Sequence, residues 1–248
     1  MISKSRLKYI RSLELKKYRK AEGVFVAEGP KIVDELLSVF TPVYIAATSE
    51  WITLHPGIQA DEVSEEELSK VSFLEHPQRV IAIFRIPRYE VDVQGVISDS
   101  LCLALDNVQN PGNLGTIVRI ADWFGIEHIF CSQECADIYN PKVIQSTMGA
   151  IARVKVHYCD LPEMLSSLPS DTPIYGTFLD GEDIYARQIG QHGIIVMGNE
   201  GNGVSSDVEK HVTERLFIPS YPKERETSES LNVAIATAIV CAEFRRRG

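Results

Sequence analysis

The stretch that decides the fold is LCLALDNVQNPGNLGTIVR, residues 101–119. It predicts an apolar strand over Leu101–Leu105, a polar turn, and a helix that begins at Asn113 as its N-cap and continues to about Phe124. Apolar strands and helices go on alternating to the C-terminus. This alternation predicts a parallel α/β sheet that is covered on both faces. Ligands of such sheets bind in the loops at the carboxyl ends of the strands.

The same pattern places the remaining elements. Further strands are expected at residues 128–132, 154–158, 174–179, 193–197 and 216–218, and helices at 141–150, 162–168, 205–212 and 231–246. The first third of the chain predicts a small α/β unit with a basic helix over residues 4–20 and strands near 23–27, 43–47 and 79–86. Polar residues then suggest a linker. The expected domains are residues 1–90 and 100–248, joined by a linker at 91–99.

Charge is distributed unevenly along the 248 residues. The net charge is −9, which argues against a generic nucleic-acid coat protein. Residues 1–31, however, contain nine cations and three anions, so this block carries +6 and the rest of the chain −15. A basic block in an acidic protein is typical of a contact surface for a polyanion. A solvated, lysine-rich first helix is the alternative.

The sequence predicts a cytoplasmic protein that does not enter the membrane. The N-terminus lacks the apolar region of a secretory signal, and no apolar run approaches the length of a membrane span. The five cysteines are odd in number and are expected to be reduced. Cys131, Cys135 and His128 could be metal ligands, but no second pair completes a set of four, so no metal is expected.

A glycine-rich loop, GNEGNG at residues 198–203, follows the strand at 193–197. Glycine lets the backbone approach a ligand closely, although a tight turn without a ligand would use the same residues. The order of glycines fits neither the dinucleotide-binding fingerprint nor the P-loop.

The last loop leads from Ile218 into a C-terminal helix that is apolar almost all round. Such a helix is expected to be buried within the protein or against a second subunit. Ser228 or Ser230 is the expected cap. Asn232 interrupts the apolar pattern, and a buried asparagine needs partners, so it is a structural bridge or a site residue. Arg119 likewise has two interpretations, a site residue or a surface partner of Asp122 one turn later.

Together the three loops resemble, in order and spacing, the three motifs of the SpoU (TrmH-like) RNA 2′-O-ribose methyltransferases. The matching stretches are NLGTIVR at 113–119, GNEGNG at 198–203 and SLNV at 230–233. Residues 142–150 resemble the segment between the family's motifs. Residues 15–29 look like the opening of the L30e-like substrate-binding domain that many members carry.

The resemblance implies a catalytic domain with a SPOUT-type trefoil knot and S-adenosylmethionine as methyl donor, with no metal. It implies structured RNA as substrate, with ribosomal RNA favoured over transfer RNA by analogy with relatives that carry the L30e-like domain. It further implies a homodimer through the C-terminal helix region, which would bring Arg119 of one subunit close to the donor site of the other.

The family's roles carry over by position. Arg119 would act at the ribose 2′-hydroxyl, and four residues would organise the site, namely Asn113, Glu200, Ser230 and Asn232. The donor would contact Thr177, Leu179, Gly198, Asn199, Gly201, Ile218 and Leu231. The loop at 219–230 is longer than usual, and Ser220 and Ala234 replace the common Met and Ser. Two other hypotheses are a non-catalytic RNA-binding or ribosome-assembly factor on the same fold, and a nucleotide-dependent oxidoreductase.

Overall fold

The computed structural model describes residues 2–222 and 230–246. By their contacts the residues form two compact units. The first unit comprises Met1–Arg88 and Asp137–Ala152, and the second comprises Tyr89–Ala136 and Arg153–Gly248. No helix in the described ranges has both the length and the hydropathy needed to cross a membrane.

The first unit is built on a four-stranded mixed sheet of order β1-β4-β2-β3, in which β4 runs antiparallel to both β1 and β2. Its strands are β1 (Val24–Glu28), β2 (Pro42–Ala47), β3 (Asp61–Glu62) and β4 (Val80–Arg85). Its helices are α1 (Lys4–Ser12), α2 (Lys16–Glu22), α3 (Pro30–Leu37), α4 (Ser49–Leu54), α5 (Glu65–Val71) and α8 (Pro141–Thr147), followed by a 3-10 turn at Ala150–Ala152. Short α4 and β3 were not among the expected elements.

The basic helix expected over residues 4–20 is in fact two helices, because the chain turns between α1 and α2. The turn buries Leu13 completely and brings two carbonyl groups to Arg19. Arg19 Nη1 donates to Leu13 O at 2.7 Å and to Glu14 O at 2.6 Å, and Nη2 donates to Asp137 Oδ2 at 2.5 Å. Arg19 is therefore a buried structural cation and contributes little to the charged surface.

The second unit contains the predicted parallel sheet, in which six strands have the order β10-β8-β9-β5-β6-β7 and every paired neighbour is parallel. The strands are β5 (Leu101–Leu105), β6 (His128–Cys131), β7 (Lys155–Tyr158), β8 (Ile174–Asp183), β9 (Gly193–Met197) and β10 (Glu214–Phe217). Every residue of β5 and β9 is buried, so the centre of the sheet is covered on both faces.

Five helices complete the second unit. They are α6 (Val93–Asp99), α7 (Pro111–Trp123), α9 (Leu161–Ser166), α10 (Ser206–Glu209) and α11 (Val233–Arg246). Most of the segment expected as a linker forms α6, which Asp92 caps and whose Ile97 is buried in the core beneath β5 and β9. The knotted path stays a prediction, since the loop that would form it includes residues 223–229, outside the described ranges.

A histidine pair on β6 and β7 makes the stability of the second unit depend on pH. His128 Nδ1 and His157 Nε2 lie 3.1 Å apart, and Lys155 is on the same strand as His157. Burial, then the neighbouring His128 and Lys155, lower the pKa of His157 to about 4. The unfolded histidine, with a pKa of about 6.5, binds more protons below that pH. This contribution to stability is therefore complete above pH 6.5 and is lost between pH 6.5 and 4.

We expect His157→Gln to reduce the loss of unfolding free energy between pH 7 and pH 5 by about 1–2 kcal/mol. Urea denaturation at both pH values measures this difference. His192→Gln is the control, because His192 is exposed and lies outside the pair. An equal pH dependence in the two variants would contradict the assignment to His157.

Candidate active site

Four loops leave the same edge of the parallel sheet. The register pairs Leu105 of β5 with Met197 of β9, and Gly176 of β8 with Val196, so the chain leaves these three strands at one level. The fourth loop follows Phe217 at the end of β10. Thr177 and Leu179 lie in the part of β8 beyond Gly176, and Asn113 lies in the first turn of α7. Apart from Arg119, the other predicted site residues lie in the loops after β9 and β10 or in the turn that enters α11.

The loop after β5 is tied to the glycine-rich loop after β9. Asp106, which is 2% exposed, accepts a hydrogen bond from the Ser205 N–H at 2.7 Å. In the other direction, the Asn199 amide donates to the Asn107 carbonyl oxygen at 2.9 Å. Asn107 has a φ of 61°, a left-handed conformation that turns the chain away from the strand. These bonds fix two loops that are about ninety residues apart in sequence.

The cap of α7 is Asn110, and the prediction of Asn113 was wrong. The Asn110 side chain accepts from the Gly112 and Asn113 N–H groups at 2.8 and 3.1 Å. Pro111 then occupies the first helical position, which its fixed φ favours. Because Asn110 satisfies the helix end, the side chain of Asn113 is available for other contacts.

Asn113 joins the three predicted loops into one hydrogen-bonded network. Its Nδ2 donates to Glu200 Oε1 in the glycine-rich loop, and its Oδ1 accepts from Asn232 Nδ2 at 3.1 Å. The Ser230 hydroxyl completes the set with a long bond of 3.4 Å to the Glu200 carbonyl oxygen. The structure therefore brings together four of the five residues predicted to organise or perform the chemistry.

Asn232 has a second role as the N-cap of α11. Its Oδ1 accepts from the N–H groups of Ala234 at 3.0 Å and Ile235 at 3.3 Å. The expectation of a serine cap is thus wrong for Ser230, while Ser228 lies outside the described residues. The expectation that Asn232 is buried is also wrong, because the residue is exposed.

The glycine-rich loop closes on itself through reciprocal backbone bonds. Asn199 and Gly203 exchange N–H···O bonds of 2.9 and 2.8 Å, and Asn199 Oδ1 accepts from the Gly201 N–H at 2.8 Å. A Cβ atom at Gly198 would lie 2.2 Å from the carbonyl carbon of Gly203. Glycine is therefore required at residue 198 for the loop to take this compact form.

Beyond Gly176, where its pairing with β9 ends, β8 forms a wide bulge that contains Thr177 and Leu179. The register of β8 against β10 jumps from Gly176 opposite Arg215 to Glu182 opposite Leu216. The Thr177 hydroxyl lies 3.9 Å from the Met197 sulfur, which places it beside the glycine-rich loop. Leu179 is 75% exposed at the tip of the bulge. Ile218 is half-buried just after β10, and Leu231 is exposed beside Asn232.

Arg215, which the sequence did not single out, holds this bulge in place. Its guanidinium carbon lies 3.7 Å from the centre of the Phe178 ring. Its Nη2 pairs with Asp180 at 2.5 Å and its Nη1 with Glu209 at 2.7 Å. The two hydrogen bonds raise the already high pKa of the guanidinium, so Arg215 stays charged.

The buried Cys135 thiol contacts the backbone at the end of β5 and in the loop that follows it. Cys135 Sγ accepts from the Val108 N–H at 3.3 Å and lies 3.1 Å from the Leu105 carbonyl oxygen. Hydrogen bonds, with the Cys131 thiol as the largest contribution, lower the pKa of Cys135 to about 7 against the opposing effect of burial. Within the described ranges, no group of three His, Cys, Asp or Glu side chains is placed to hold a metal ion.

Arg119 lies apart from the network. It is exposed on α7, six residues beyond Asn113, which corresponds to about 9 Å along the axis and roughly 240° around it. The alternative pairing with Asp122 is wrong, since the Asp122 carboxylate binds Arg153 through two bonds of 2.7 and 2.8 Å. No ion pair or hydrogen bond occupies the Arg119 side chain among the described residues.

A parallel sheet with this hydrogen-bonded set and glycine-rich loop at its carboxyl edge defines an α/β protein with a ligand site at that edge. Residues 100–242 match the model of the SpoU rRNA methylase family, and residues 4–82 match that of an MRM3-like substrate-binding domain. The chain belongs to the SpoU rRNA methylase family. This membership argues against the oxidoreductase hypothesis.

Similar proteins support this membership along the whole chain. The 23S rRNA (guanosine(2553)-2′-O)-methyltransferase RlmP of Bacillus subtilis is 30% identical over 95% of this chain and 94% of its own. A TrmH-family protein of Porphyromonas gingivalis is 38% identical with a TM-score of 0.89, and each chain is fully covered. An AdoMet-bound rRNA methyltransferase of Sinorhizobium meliloti is 28% identical with a TM-score of 0.84, covering 100% of this chain and 97% of that one.

The two roles of Asn232 are separable by substitution. We expect Asn232→Ala to lower the free energy of unfolding by about 1 kcal/mol, because it removes the cap of α11. Asn232→Asp keeps an oxygen for both N–H groups but replaces the donor that faces Asn113 Oδ1 with a second acceptor, so it retains the cap, loses the bond to Asn113 and should cost less stability than Asn232→Ala. Urea denaturation measures both. Equal destabilisation by the two substitutions would contradict the capping role.

Proposed function

We propose that this protein transfers a methyl group from S-adenosylmethionine to a ribose 2′-hydroxyl of ribosomal RNA. The observation that carries the proposal is the Asn232–Asn113–Glu200 network, which joins residues from all three predicted motifs at one edge of the sheet. RlmP, a 23S rRNA 2′-O-methyltransferase, is similar along nearly the entire chain. The reduced cysteines support the accompanying proposal of a cytoplasmic location.

The residues beside the network suit an uncharged nucleoside and a cationic sulfur. The half-buried Thr177 hydroxyl lies next to the end of β9, and the loop from Gly198 offers backbone groups to a ligand. The proposed donor contacts are Thr177, Leu179, Gly198, Asn199, Gly201, Ile218 and Leu231. Glu200 supplies the negative charge close to this edge. The donor contributes the electrophilic methyl group, and the chain supplies its orientation.

The transfer is an in-line displacement, so alignment of the hydroxyl with the methyl group lowers the barrier. Asn113 and Asn232 fix the Glu200 carboxylate and, through it, the shape of the glycine-rich loop. Arg119 cannot be the proton acceptor, because the side chain of an arginine stays protonated at neutral pH. Its role is to stabilise the negative charge that develops on the 2′-oxygen and the charge of the neighbouring phosphate.

The position of Arg119 supports an active site shared between two subunits. The side chain is exposed and, among the described residues, forms no hydrogen bond or ion pair with the network of its own subunit. Trp123, one turn further along α7, is 85% exposed, and Ile235 on the adjacent α11 is 54% exposed. Large apolar side chains that are exposed on two adjacent helices suit a protein interface. We infer a homodimer through α11 and its surroundings, in which Arg119 of one subunit serves the donor site of its partner.

Arg119→Ala should lower the rate of methyl transfer at least a hundredfold, because one charge-stabilising donor is lost. Binding of S-adenosylmethionine, measured by calorimetry, should be retained. In contrast, Gly198→Ala should lose donor binding, since the added methyl group collides with the Gly203 backbone. Loss of donor binding in Arg119→Ala, with the fold intact, would overturn the role assigned to this arginine.

Mixing these two inactive variants tests the shared site. Half of the randomly reassembled dimers contain one copy of each variant, and each of these has one intact site, so about a quarter of the wild-type activity should return. Each variant alone remains inactive. If Arg119 acted within its own subunit, mixing would restore nothing.

We propose that residues 1–90, the expected substrate-binding domain, bind RNA through their exposed cations. Lys4, Lys8 and Arg11 recur at helical spacing on α1, and Lys20 is exposed on α2. Arg19 is excluded from this surface by its buried pairing with Asp137. Cations on one face attract the phosphate backbone irrespective of sequence. Residues 100–248 then perform the transfer.

The triple variant Lys4→Gln, Lys8→Gln, Lys20→Gln should bind a 23S rRNA transcript more weakly than the wild type. Filter binding at several salt concentrations should give a slope of log K against log salt that is less steep by about 2. Donor binding should not change.

A matched control removes three cations that already have carboxylate partners, through Lys70→Gln, Arg79→Gln and Lys210→Gln. This control changes the net charge equally and should retain most of the slope. If both variants lost the same slope, the surface of α1 and α2 would have no special role.

A further inference from the structure

The first unit contains a concave cavity of about 260 Å³ that no part of the proposed reaction uses. Pockets for drug-sized ligands begin at about 300 Å³, so this cavity suits one small planar group. It is lined by Val26, Glu28, Phe73, Leu74, Pro141, Lys142, Gln145 and Ser146.

One wall of the cavity presents apolar side chains, and hydrogen bonds to the Glu28 carboxylate fix the backbone of this wall. The buried Glu28 carboxylate accepts from the Ser72 hydroxyl at 2.5 Å and from the Phe73 N–H at 2.7 Å. Burial raises the pKa of Glu28, and these bonds partly offset the effect. They fix the backbone that presents the half-buried Phe73 ring, while Pro141 supplies a second flat apolar surface.

The opposite wall is polar and comes from one face of α8. Lys142, Gln145 and Ser146 are spaced so that their side chains lie on the same side of the helix. The Ser146 hydroxyl donates to the Lys142 carbonyl oxygen at 2.8 Å and can still accept. In the described part of the chain, neither the Gln145 amide nor the Lys142 ammonium has a partner, so both can bind a ligand.

Arg11 on α1 lies next to the cavity, because it contacts the lining residue Phe73 and its neighbour Ser72. Arg11 Nη1 donates to the Ser72 carbonyl oxygen at 2.6 Å, and its guanidinium carbon lies 5.1 Å from the centre of the Phe73 ring. Arg11 shares its helix face with Lys4 and Lys8. A phosphate backbone bound along this face would therefore arrive at the mouth of the cavity.

We propose that this cavity receives one unstacked nucleobase of the RNA substrate, an inference that rests on the proposed function. Phe73 stacks on the base, the Gln145 amide binds its edge, and Lys142 binds the adjoining phosphate. Proteins recognise RNA sequence mainly through single-stranded bases that are stacked on aromatic side chains and hydrogen-bonded along their edges. The cavity is thus the part of the first unit that reads sequence, whereas the cations of α1 bind any RNA.

The test compares Gln145→Leu and Phe73→Leu with Gln59→Leu, which makes the same change at an exposed glutamine of the same unit outside the cavity. Methyl transfer to a 23S rRNA transcript is measured with the full chain. Both cavity variants should raise the KM for RNA about tenfold, with kcat and donor affinity unchanged, because Phe73→Leu loses the aromatic ring that stacks on the base and Gln145→Leu loses the hydrogen bonds to its edge. The salt slope should also be unchanged, since Gln145 and Phe73 bind no phosphate. Gln59→Leu should behave as the wild type.

The outcomes separate this inference from the proposed function. If the wild type does not methylate the transcript, the proposed function fails. If the wild type is active and Gln145→Leu has the wild-type KM for RNA, only the cavity assignment fails. The test stays valid even if Phe73→Leu does not fold, because Gln145→Leu alone decides it. A third outcome is that the wild type binds free nucleoside monophosphates and Gln145→Leu does not, while the KM for RNA is the same in both. This outcome would also overturn the RNA assignment.

Discussion

The site depends on one side-chain amide, that of Asn113. A primary amide donates and accepts at once, and Asn113 uses both functions, giving a hydrogen bond to Glu200 and taking one from Asn232. A carboxylate at this position could not donate, and an apolar group could do neither. The amide thereby links loops that are 87 and 119 residues away along the chain, and the orientation of each depends on the other two.

This linkage works because the frame around it is held independently. Asp106 accepts a hydrogen bond from the Ser205 N–H, and the Asn199 side chain donates one to the Asn107 carbonyl oxygen. These two bonds join the loops after β5 and β9 independently of the network. Arg215 likewise holds the bulge of β8 in place, because its guanidinium stacks on the Phe178 ring and pairs with the carboxylates of Asp180 and Glu209. The side chains that face the proposed donor thus lie on loops whose backbones are fixed by other residues. Such prior fixation is what in-line transfer requires.

Loops that follow strands were predictable, whereas contacts between distant loops were not. The positions of the loops followed from the alternation of strands and helices, because the carboxyl ends of parallel strands meet at one edge of the sheet. The site roles of Asn113, Glu200 and Asn232 came from the resemblance to the SpoU family. Arg215 was missed because its partner Asp180 lies 35 positions earlier, and only the register jump brings the two together. The cap of α7 could have been placed correctly, since a proline favours the first helical position and therefore points to Asn110 before it.

Net charge is a poor guide to the partner of this protein, and burial explains why. A cation contributes to a binding surface only if its charged group is exposed to solvent. Arg19 belongs to the basic block, but its guanidinium is buried and bound to Asp137 and to two carbonyl groups. Arg11 is intermediate, because it binds Ser72 yet stays exposed beside the Phe73 ring. Lys4 and Lys8 are fully available on the same helix face. The proposed attraction for RNA therefore depends on where a few cations lie, because an acidic chain can bind a polyanion through one local surface.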